Sequence, residues 1–399
     1  MKKNPIAAAR GSDKVTPWLP GRFLPNRLTT ILKPFGWLYG KITNTRNALY
    51  DRGIFESHSL GARTISIGNI TAGGTGKTPL VAFVAELLAE QGERVCILTR
   101  GYGRENPRSR VLVSDGEKIL ADVRRAGDEP FELAQKLIGK ALVIADADRI
   151  SAAKWALNKF GVTVFVLDDA FQNRKVKRDL DIICIDATNP FGNGKMLPAG
   201  ILREPLKNLK RANAIVITRA NLTENVENLK SQISKLNPLS LIFLMENRIA
   251  GLRALEDFHA KPQRSQTGPE KPADELGWNQ LRSKKADPAV NDEVRVTAFC
   301  ALGNPYNFFI QVMAAFDEDS MEEFDLSIIR PFPDHHFYTQ KNIDALQKQA
   351  NECNIDALVT TAKDAVKLKD LKFEIPCYVI EIEATIKDEK SIRDLIIAS

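Results

Sequence analysis

Residues 65–79 read ISIGNITAGGTGKTP, an apolar run that breaks into a glycine-dense loop and then into Lys-Thr. A strand, glycines and a Lys-Thr pair opening a helix together make a phosphate cradle. Gly73, Gly74 and Gly76 allow backbone N–H groups to converge where side chains would block an anion. The following helix presents its positive dipole end. In the pattern GxxxxGK[ST], Lys77 reaches the outer phosphates and Thr78 places its hydroxyl on Mg²⁺. Thr71 stands at the first glycine position, so the match is imperfect. Thr71, Ala72, Gly73, Gly74, Thr75, Gly76, Lys77 and Thr78 are the expected nucleotide-binding residues.

Outward from this loop the pattern alternates. Strands are expected at 63–70, 94–103, 140–149, 162–169, 179–187 and 212–220, most of them short, β-branched and apolar on both faces. Helical patterns at 79–92 and 129–139 separate several of them. That alternation implies a parallel sheet covered on both sides. A second set of strands falls at 239–252, 294–305, 325–336, 355–362 and 376–384. The fold class is therefore α/β: a P-loop NTPase-like parallel-sheet domain with a second, smaller α/β domain. The expected organisation is a basic segment at 1–55, the P-loop domain at 56–230, the smaller domain at 231–375 and a closing strand and helix at 376–399. The stretch 259–293 is polar and rich in Pro and Lys, an insertion from the surface.

A P-loop needs an acidic partner for the metal. VTVFVLDDAFQ (162–172) ends an apolar strand on Asp168 and Asp169, which at the carboxyl edge of the sheet face the same crevice. Either can hold Mg²⁺, directly or through water. Transfer to an alcohol also needs a group that positions the hydroxyl. AGDEPFEL offers Asp128 and Glu129, although Asp128 also fits an N-cap for a helix starting at Glu129-Pro130. PFPDHHFY offers Asp334 and His335, an acid–base unit or a satisfied turn.

The net charge is +6. Residues 1–60 carry ten Lys/Arg against three Asp/Glu, +7, which leaves −1 for the remainder. The same segment repeats Leu28, Ile31, Leu32, Phe35, Leu38, Tyr39, Ile42 and Leu49 at helical spacing, with Trp18, Trp37 and Tyr50 nearby and Pro34 placed to start or kink the helix. Two readings stand: a helix lying in an anionic membrane surface, or a helix packed on the domain with solvated lysines. No apolar run reaches bilayer-spanning length and no secretory leader is evident. The five cysteines are scattered, without a CxxC or Cys/His cluster, so reduced thiols are expected.

GNITAGGTGKTP, RGYGR (100–104), GDEP (127–130), LDDAFQ (167–172), LPAGILREP (197–205), FPDHH (332–336) and TAKDAVK (361–367) occur in one order along most of the chain. In that ordered set the chain resembles the tetraacyldisaccharide 4′-kinases of lipid A synthesis. The resemblance implies a kinase using ATP and Mg²⁺ on the 4′-hydroxyl of a lipid-linked glucosamine disaccharide, peripheral to the cytoplasmic face of the inner membrane. It assigns Asp128 as the catalytic aspartate and His335 as its partner, with Asp334 before it. Lys77 and Thr78 serve the P-loop, and Asp168 and Asp169 the metal. Glu129 and Arg149 enter as further site members; Arg100, Arg203 and Arg149 are candidates to neutralise phosphates, with structural ion pairs the equal alternative for each. It also implies a membrane-facing N-terminal helix and closure of the two domains to join Asp128 with His335. Two positions depart from the family pattern: Ala170 replaces a glycine and Asn173 a histidine.

Two other functions are considered. A partitioning-type ATPase switch would carry lysine where this chain has Ala72, and a soluble small-molecule kinase would not need the basic front end. Nucleic acid is a poor fit, because the basic excess lies on a Trp/Leu-rich helix and not in a groove. No protein partner is indicated.

Overall fold

The computed structural model describes residues 26–259, 294–316 and 324–399. Trp18 and the basic residues before position 26, and nearly all of the polar insertion (260–293), lie outside the described residues.

One 12-stranded sheet runs through the molecule in the order β10-β9-β11-β12-β8-β7-β6-β1-β5-β2-β4-β3. Its first half holds β1 (Arg63–Asn69), β2 (Val95–Thr99), β3 (Val111–Ser114), β4 (Ala141–Ala145), β5 (Val164–Asp168), β6 (Leu180–Asp186) and β7 (Ala214–Thr218). Of these, only β3 runs antiparallel to its neighbour. The second half holds β8 (Leu241–Ala254), β9 (Val294–Cys300), β10 (Phe324–Pro331), β11 (Ala357–Thr361) and β12 (Cys377–Ile386). β8 and β12 pair antiparallel over their length, while β8 also lies parallel to β7. That pairing joins the two sets of strands into a single sheet.

Strand side chains alternate between layers, as period-two geometry requires. Val95 and Ile97 of β2 enter the core beneath the helix Lys77–Glu90, while Cys96 and Leu98 enter the opposite core beneath the helix Arg149–Phe160. Central strands are buried on both faces, which is why their sequences read as unbroken apolar runs. In the second half, Phe308 and Val312 cover one face and Ile343 and Leu346 the other. Ile392 and Ile396 of the helix Glu389–Ala398 return to the first core, beside Leu80 and Val84.

β2 stops at Thr99, so RGYG forms a loop and not the end of a strand as its sequence suggested. Gly101 and Gly103 adopt positive φ there and break the extended conformation. The helix Asn26–Asp51 runs through Pro34, which therefore does not start it. That helix turns Gly36, Gly40, Thr43 and Asn47 inward, at spacings of one and two turns. Its small face lets it lie close: a Cβ on Gly36 would sit 2.9 Å from the Met196 carbonyl oxygen. Its opposite face exposes Ile31, Phe35, Trp37, Leu38 and Ile42, with Trp37 66% accessible. The helix thus packs on the fold by small and polar residues and shows its large apolar ones to the outside. Among the described residues no helix is long and apolar enough to cross a membrane. The five cysteines are free.

Candidate active site

The glycine loop leaves the carboxyl end of β1 and enters the helix Lys77–Glu90. Gly73 and Gly76 take φ of 107° and 72°, which side chains rarely adopt. A Cβ added to Gly73 or Gly74 would meet nothing within 4 Å, so the loop faces open space of the kind an anion needs. Its underside is braced. Ala72 N–H donates to the Ile201 carbonyl at 2.7 Å, and Arg203 N–H to the Ile70 carbonyl at 2.8 Å. Asn69 Nδ2 donates to Thr75 Oγ1 at 3.0 Å, and Thr218 Oγ1 to the Thr75 carbonyl at 2.9 Å. LPAGILREP therefore acts as the loop's backing strip. Thr78 sits half-buried in the first helical turn.

β5 delivers Asp168 and Asp169 to the same edge. The turn after it does need a left-handed residue, and Asp169 supplies it with φ 52°. Aspartate tolerates that conformation better than most residues. Ala170 is buried in the core without it, so the missing glycine costs the turn nothing. Lys77 Nζ lies 3.4 Å from Asp169 Oδ1. Burial disfavours its charge, but Asp169, Glu129 and Asp168 more than offset that and raise its pKa. Arg203 Nη1 donates to both Asp169 oxygens at 2.9 and 2.8 Å. Burial alone would raise the Asp169 pKa; Lys77 and Arg203 overcome it and hold the group down at about 2.

Asp168 is treated differently. Thr99 Oγ1 donates to its Oδ2 at 2.9 Å, and among the described residues no hydrogen bond to Oδ1 is made. Burial, then the charge of Glu129, pushes its pKa up to about 7 despite Lys77. A buried carboxylate with a bare oxygen is an electrostatic vacancy for a cation. Among the described residues no cluster of three His, Cys, Asp or Glu ligands forms. A cation here would complete its shell from phosphate and water, as Mg²⁺ commonly does. Arg149 is buried, with Nη1 on the Asp146 carbonyl and Nη2 3.4 Å from the Asp168 carbonyl. Burial lowers its pKa to about 10, so it stays charged. Arg100 is exposed and makes no ion pair among the described residues.

The helix Asp128–Lys136 begins with Gly127 as its N-cap residue, so the capping role open to Asp128 in the sequence is not taken. Its carboxylate instead lies 3% accessible beneath the opposite half of the sheet. His335, in the turn after β10, places Nδ1 3.0 Å from Asp128 Oδ2. An ionised carboxylate only accepts, so the proton of that bond sits on Nδ1. His335 has φ 58°, a left-handed backbone that histidine, like aspartate, tolerates better than most residues, and its ring lies 5.6 Å from that of Tyr102 in RGYGR. The structure holds this pair, one member from each half of the sheet, in hydrogen-bond contact. Asp334 Oδ1 stands 3.8 Å from His335 Nε2, its side chain 46% exposed.

Lys367 is the residue the sequence reading missed. Its side chain is 0% accessible, and Nζ lies 2.8 Å from Asp128 Oδ2. It belongs to TAKDAVK, and the signal was its place just after an apolar strand at the same sheet edge. Burial works against the Asp128 charge, but the His335 hydrogen bond and Lys367 outweigh it and depress the pKa. Glu129 carries this centre to the loop, since its charge is felt by both Lys77 and Asp168. Next to Arg149 opens a cavity of about 740 Å³ lined by Tyr50, Phe55, Asp148, Asn173 and Lys175, among others.

Residues 28–399 match the family model of LpxK, the tetraacyldisaccharide-1-P 4′-kinase. A tetraacyldisaccharide 4′-kinase of Halothermothrix orenii is 34% identical over 378 residues, 90% of this chain and 89% of that protein. Another, of Anaeromyxobacter dehalogenans, is 37% identical over 325 residues, 81% and 77% of the two chains. The crystal structure of Aquifex aeolicus LpxK in complex with ATP aligns with a TM-score of 0.65 at 28% identity, covering 93% of this chain and 99% of that one.

Proposed function

The chain belongs to the tetraacyldisaccharide-1-phosphate 4′-kinase family, and from that premise we propose that Asp128 steers the acceptor hydroxyl onto ATP held over the loop 71–78. The enzyme transfers the γ-phosphoryl of ATP to the 4′-hydroxyl of a tetraacylated glucosamine disaccharide 1-phosphate, forming lipid IVA in lipid A biosynthesis. Neither the ATPase switch nor the soluble kinase gains support.

ATP is read onto the open face of Gly73 and Gly74, with Lys77 on its outer phosphates. Mg²⁺ would be held by Thr78 and the carboxylate edge. Asp168, with its unpartnered Oδ1, is the better direct ligand, and Asp169, already shared by Lys77 and Arg203, is the outer one. When bound, the ion would neutralise charge on the phosphoryl oxygens. Asp128 Oδ1, which receives no hydrogen bond among the described residues, accepts one from the substrate hydroxyl and takes its proton late, as the phosphoryl group transfers, while His335 orients the carboxylate through Oδ2. Asp334 stands second to His335, and Arg149 and Arg100 supply positive charge towards phosphates at the mouth of the cavity.

The lipid itself explains the outer helix. A substrate with several acyl chains stays in a bilayer, so the active site must come to the surface. The outward Trp37, Phe35 and Ile42, with Lys33 and Lys41, suit an anionic interface. We place the enzyme at the cytoplasmic inner-membrane face on that ground, with a kinase domain over 56–230 and the His335-bearing domain over 231–375.

The observation that carries this reading is the 3.0 Å Asp128–His335 contact, next along the chain to Glu129, whose charge the loop lysine feels. The test offers γ-labelled ATP and the tetraacylated disaccharide 1-phosphate to wild type and Asp128→Asn. The variant should lose about 10²–10⁴-fold in kcat and still bind nucleotide. Near-normal transfer by the variant would remove Asp128 from this role.

A further inference from the structure

We propose that Lys367 is a positioning residue of the Asp128 centre: with His335 it occupies Oδ2 and so leaves Oδ1 alone to accept the substrate hydroxyl. The proposal rests on the reading of Asp128 given above.

A lysine with no accessible side-chain surface must be paired, because an isolated buried ammonium is costly. Two carboxylates are in reach. Asp364 is three residues earlier in the chain, yet its Oδ1 lies 3.8 Å from Nζ, against 2.8 Å for Asp128 Oδ2. Asp364 is meanwhile fixed by other donors: Ala301 N–H at 3.0 Å and Thr361 Oγ1 at 2.7 Å, both to Oδ2. Asp364 thus anchors the turn, and Lys367 reaches across to the other half of the sheet. Lys367 therefore lies between two carboxylates, 3.8 Å from Asp364 Oδ1 and a full ångström nearer to Asp128 Oδ2.

Both cationic contacts fall on one oxygen. Nδ1 of His335 and Nζ of Lys367 are each within 3.0 Å of Oδ2, and Oδ1 receives no hydrogen bond among the described residues. The carboxylate plane is therefore fixed, with one acceptor site presented to the crevice. The charged groups around it are His335, Lys367 and Lys363, with Asp364 behind Lys367 and Glu129 next along the helix. Burial opposes them, but the positive groups prevail and hold the Asp128 pKa below its ordinary value. Such a group is a weak base by construction. It orients the alcohol more than it withdraws its proton, which suits a loose phosphoryl transition state with little early demand for proton removal.

The experiment measures kcat against pH, from 4 to 9, for full-length wild type, Lys367→Met and Lys367→Arg, with saturating ATP–Mg²⁺ and lipid acceptor. Loss of the ammonium should lift the Asp128 pKa, so the acid limb, which in wild type lies at or below the acid end of this range, moves up into it by on the order of one pH unit or more in Lys367→Met. The KM for ATP should hold, and Lys367→Arg should keep the wild-type limb. A Lys367→Met enzyme with reduced kcat and an unmoved limb would show a merely structural lysine and overturn the proposal. If Lys367→Met does not fold, Lys367→Arg decides: a limb displaced by a unit in a folded, nucleotide-binding variant is equally fatal. An inactive Asp128→Asn beside an unmoved Lys367→Met limb removes this inference alone. An active Asp128→Asn removes the reading beneath it.

Discussion

Glu204→Gln is the substitution through which the anchoring of the outer helix can be measured. Glu204 lies in LPAGILREP with no accessible surface, and every group around it donates. Asn47 Nδ2 and Asn208 Nδ2 reach Oε2 at 2.7 Å each, and Arg211 Nη1 reaches it at 2.8 Å. Arg211 Nη2 and Arg46 Nη2 approach Oε1 at 3.3 and 3.5 Å. A glutamine would turn one of these oxygens into an NH₂ pointing at donors. Arg211 cannot swing away to solvent, because its guanidinium lies 4.1 Å over the Phe171 ring. Arg46 is half-exposed and sits 3.5 Å away, so it adds little. Breaking a buried pair from one side costs about 3–5 kcal/mol, and the loss of Arg211's partner with one donor clash places this case near about 3 kcal/mol. Part of that cost can be relieved by undocking the helix Asn26–Asp51, which Asn47 tethers. Calorimetry should therefore show a lower unfolding temperature, and trypsin should cut faster at Lys41 and Arg46. The KM for lipid should rise more than the KM for ATP. An unchanged melting temperature together with unchanged cleavage would refute the reasoning that this carboxylate holds the helix.

Two further substitutions test neighbouring claims. Trp37→Glu with Ile42→Glu alters only exposed side chains, so stability should stay within about 0.5 kcal/mol. Binding to vesicles with anionic lipid should fall by about 10²–10⁴-fold, from roughly 1.5–3 kcal/mol per buried side chain; equal co-sedimentation of wild type and variant would dismiss the helix as a membrane contact. Gly68→Ala places a Cβ 2.7 Å from Phe171 Cβ and 2.8 Å from its backbone nitrogen. The segment bearing Asp168 and Asp169 must then shift, costing about 1–3 kcal/mol and lowering kcat by about tenfold or more. Wild-type turnover in that variant would show the carboxylate edge to be tolerant of displacement.

Local features were legible before the structure. The loop at 71–78 announces itself because glycine spacing and a helix start are properties of neighbouring residues. The buried strands are equally readable, since Val95–Thr99 and Val164–Asp168 are apolar at every core position. What escaped were contacts between distant parts of the chain. Lys367 is separated from Asp128 by most of the second half of the sheet, and nothing in TAKDAVK says which carboxylate its ammonium will meet. Asp186 likewise gathers Arg219 at 2.6 Å and Asn307 at 2.8 Å, and Arg219 touches the Gly74 carbonyl at 3.2 Å. That chain ties the loop to the far lobe without any local motif. The helix Asn26–Asp51 misled in another way. Its apolar stripe was visible, but the inward face is made of Gly36, Gly40, Thr43 and Asn47, which a search for apolar residues overlooks. The capping position that the sequence offered to Asp128 is taken by Gly127, whose φ of 91° lets the helix begin without a side-chain cap.

The return of Ile392 and Ile396 to the core beneath the Lys77 helix has a temporal consequence during synthesis. Arg63 at the start of β1 also reaches the backbone of Ile396 and the Ser399 hydroxyl. Residues that emerge early from the ribosome therefore wait for partners that emerge late. At about 5–20 residues per second, the interval between β7 and that helix is roughly 10–30 s, during which the nucleotide half carries an uncovered apolar strip. Until translation has passed residues 389–398, that strip lacks this part of its cover.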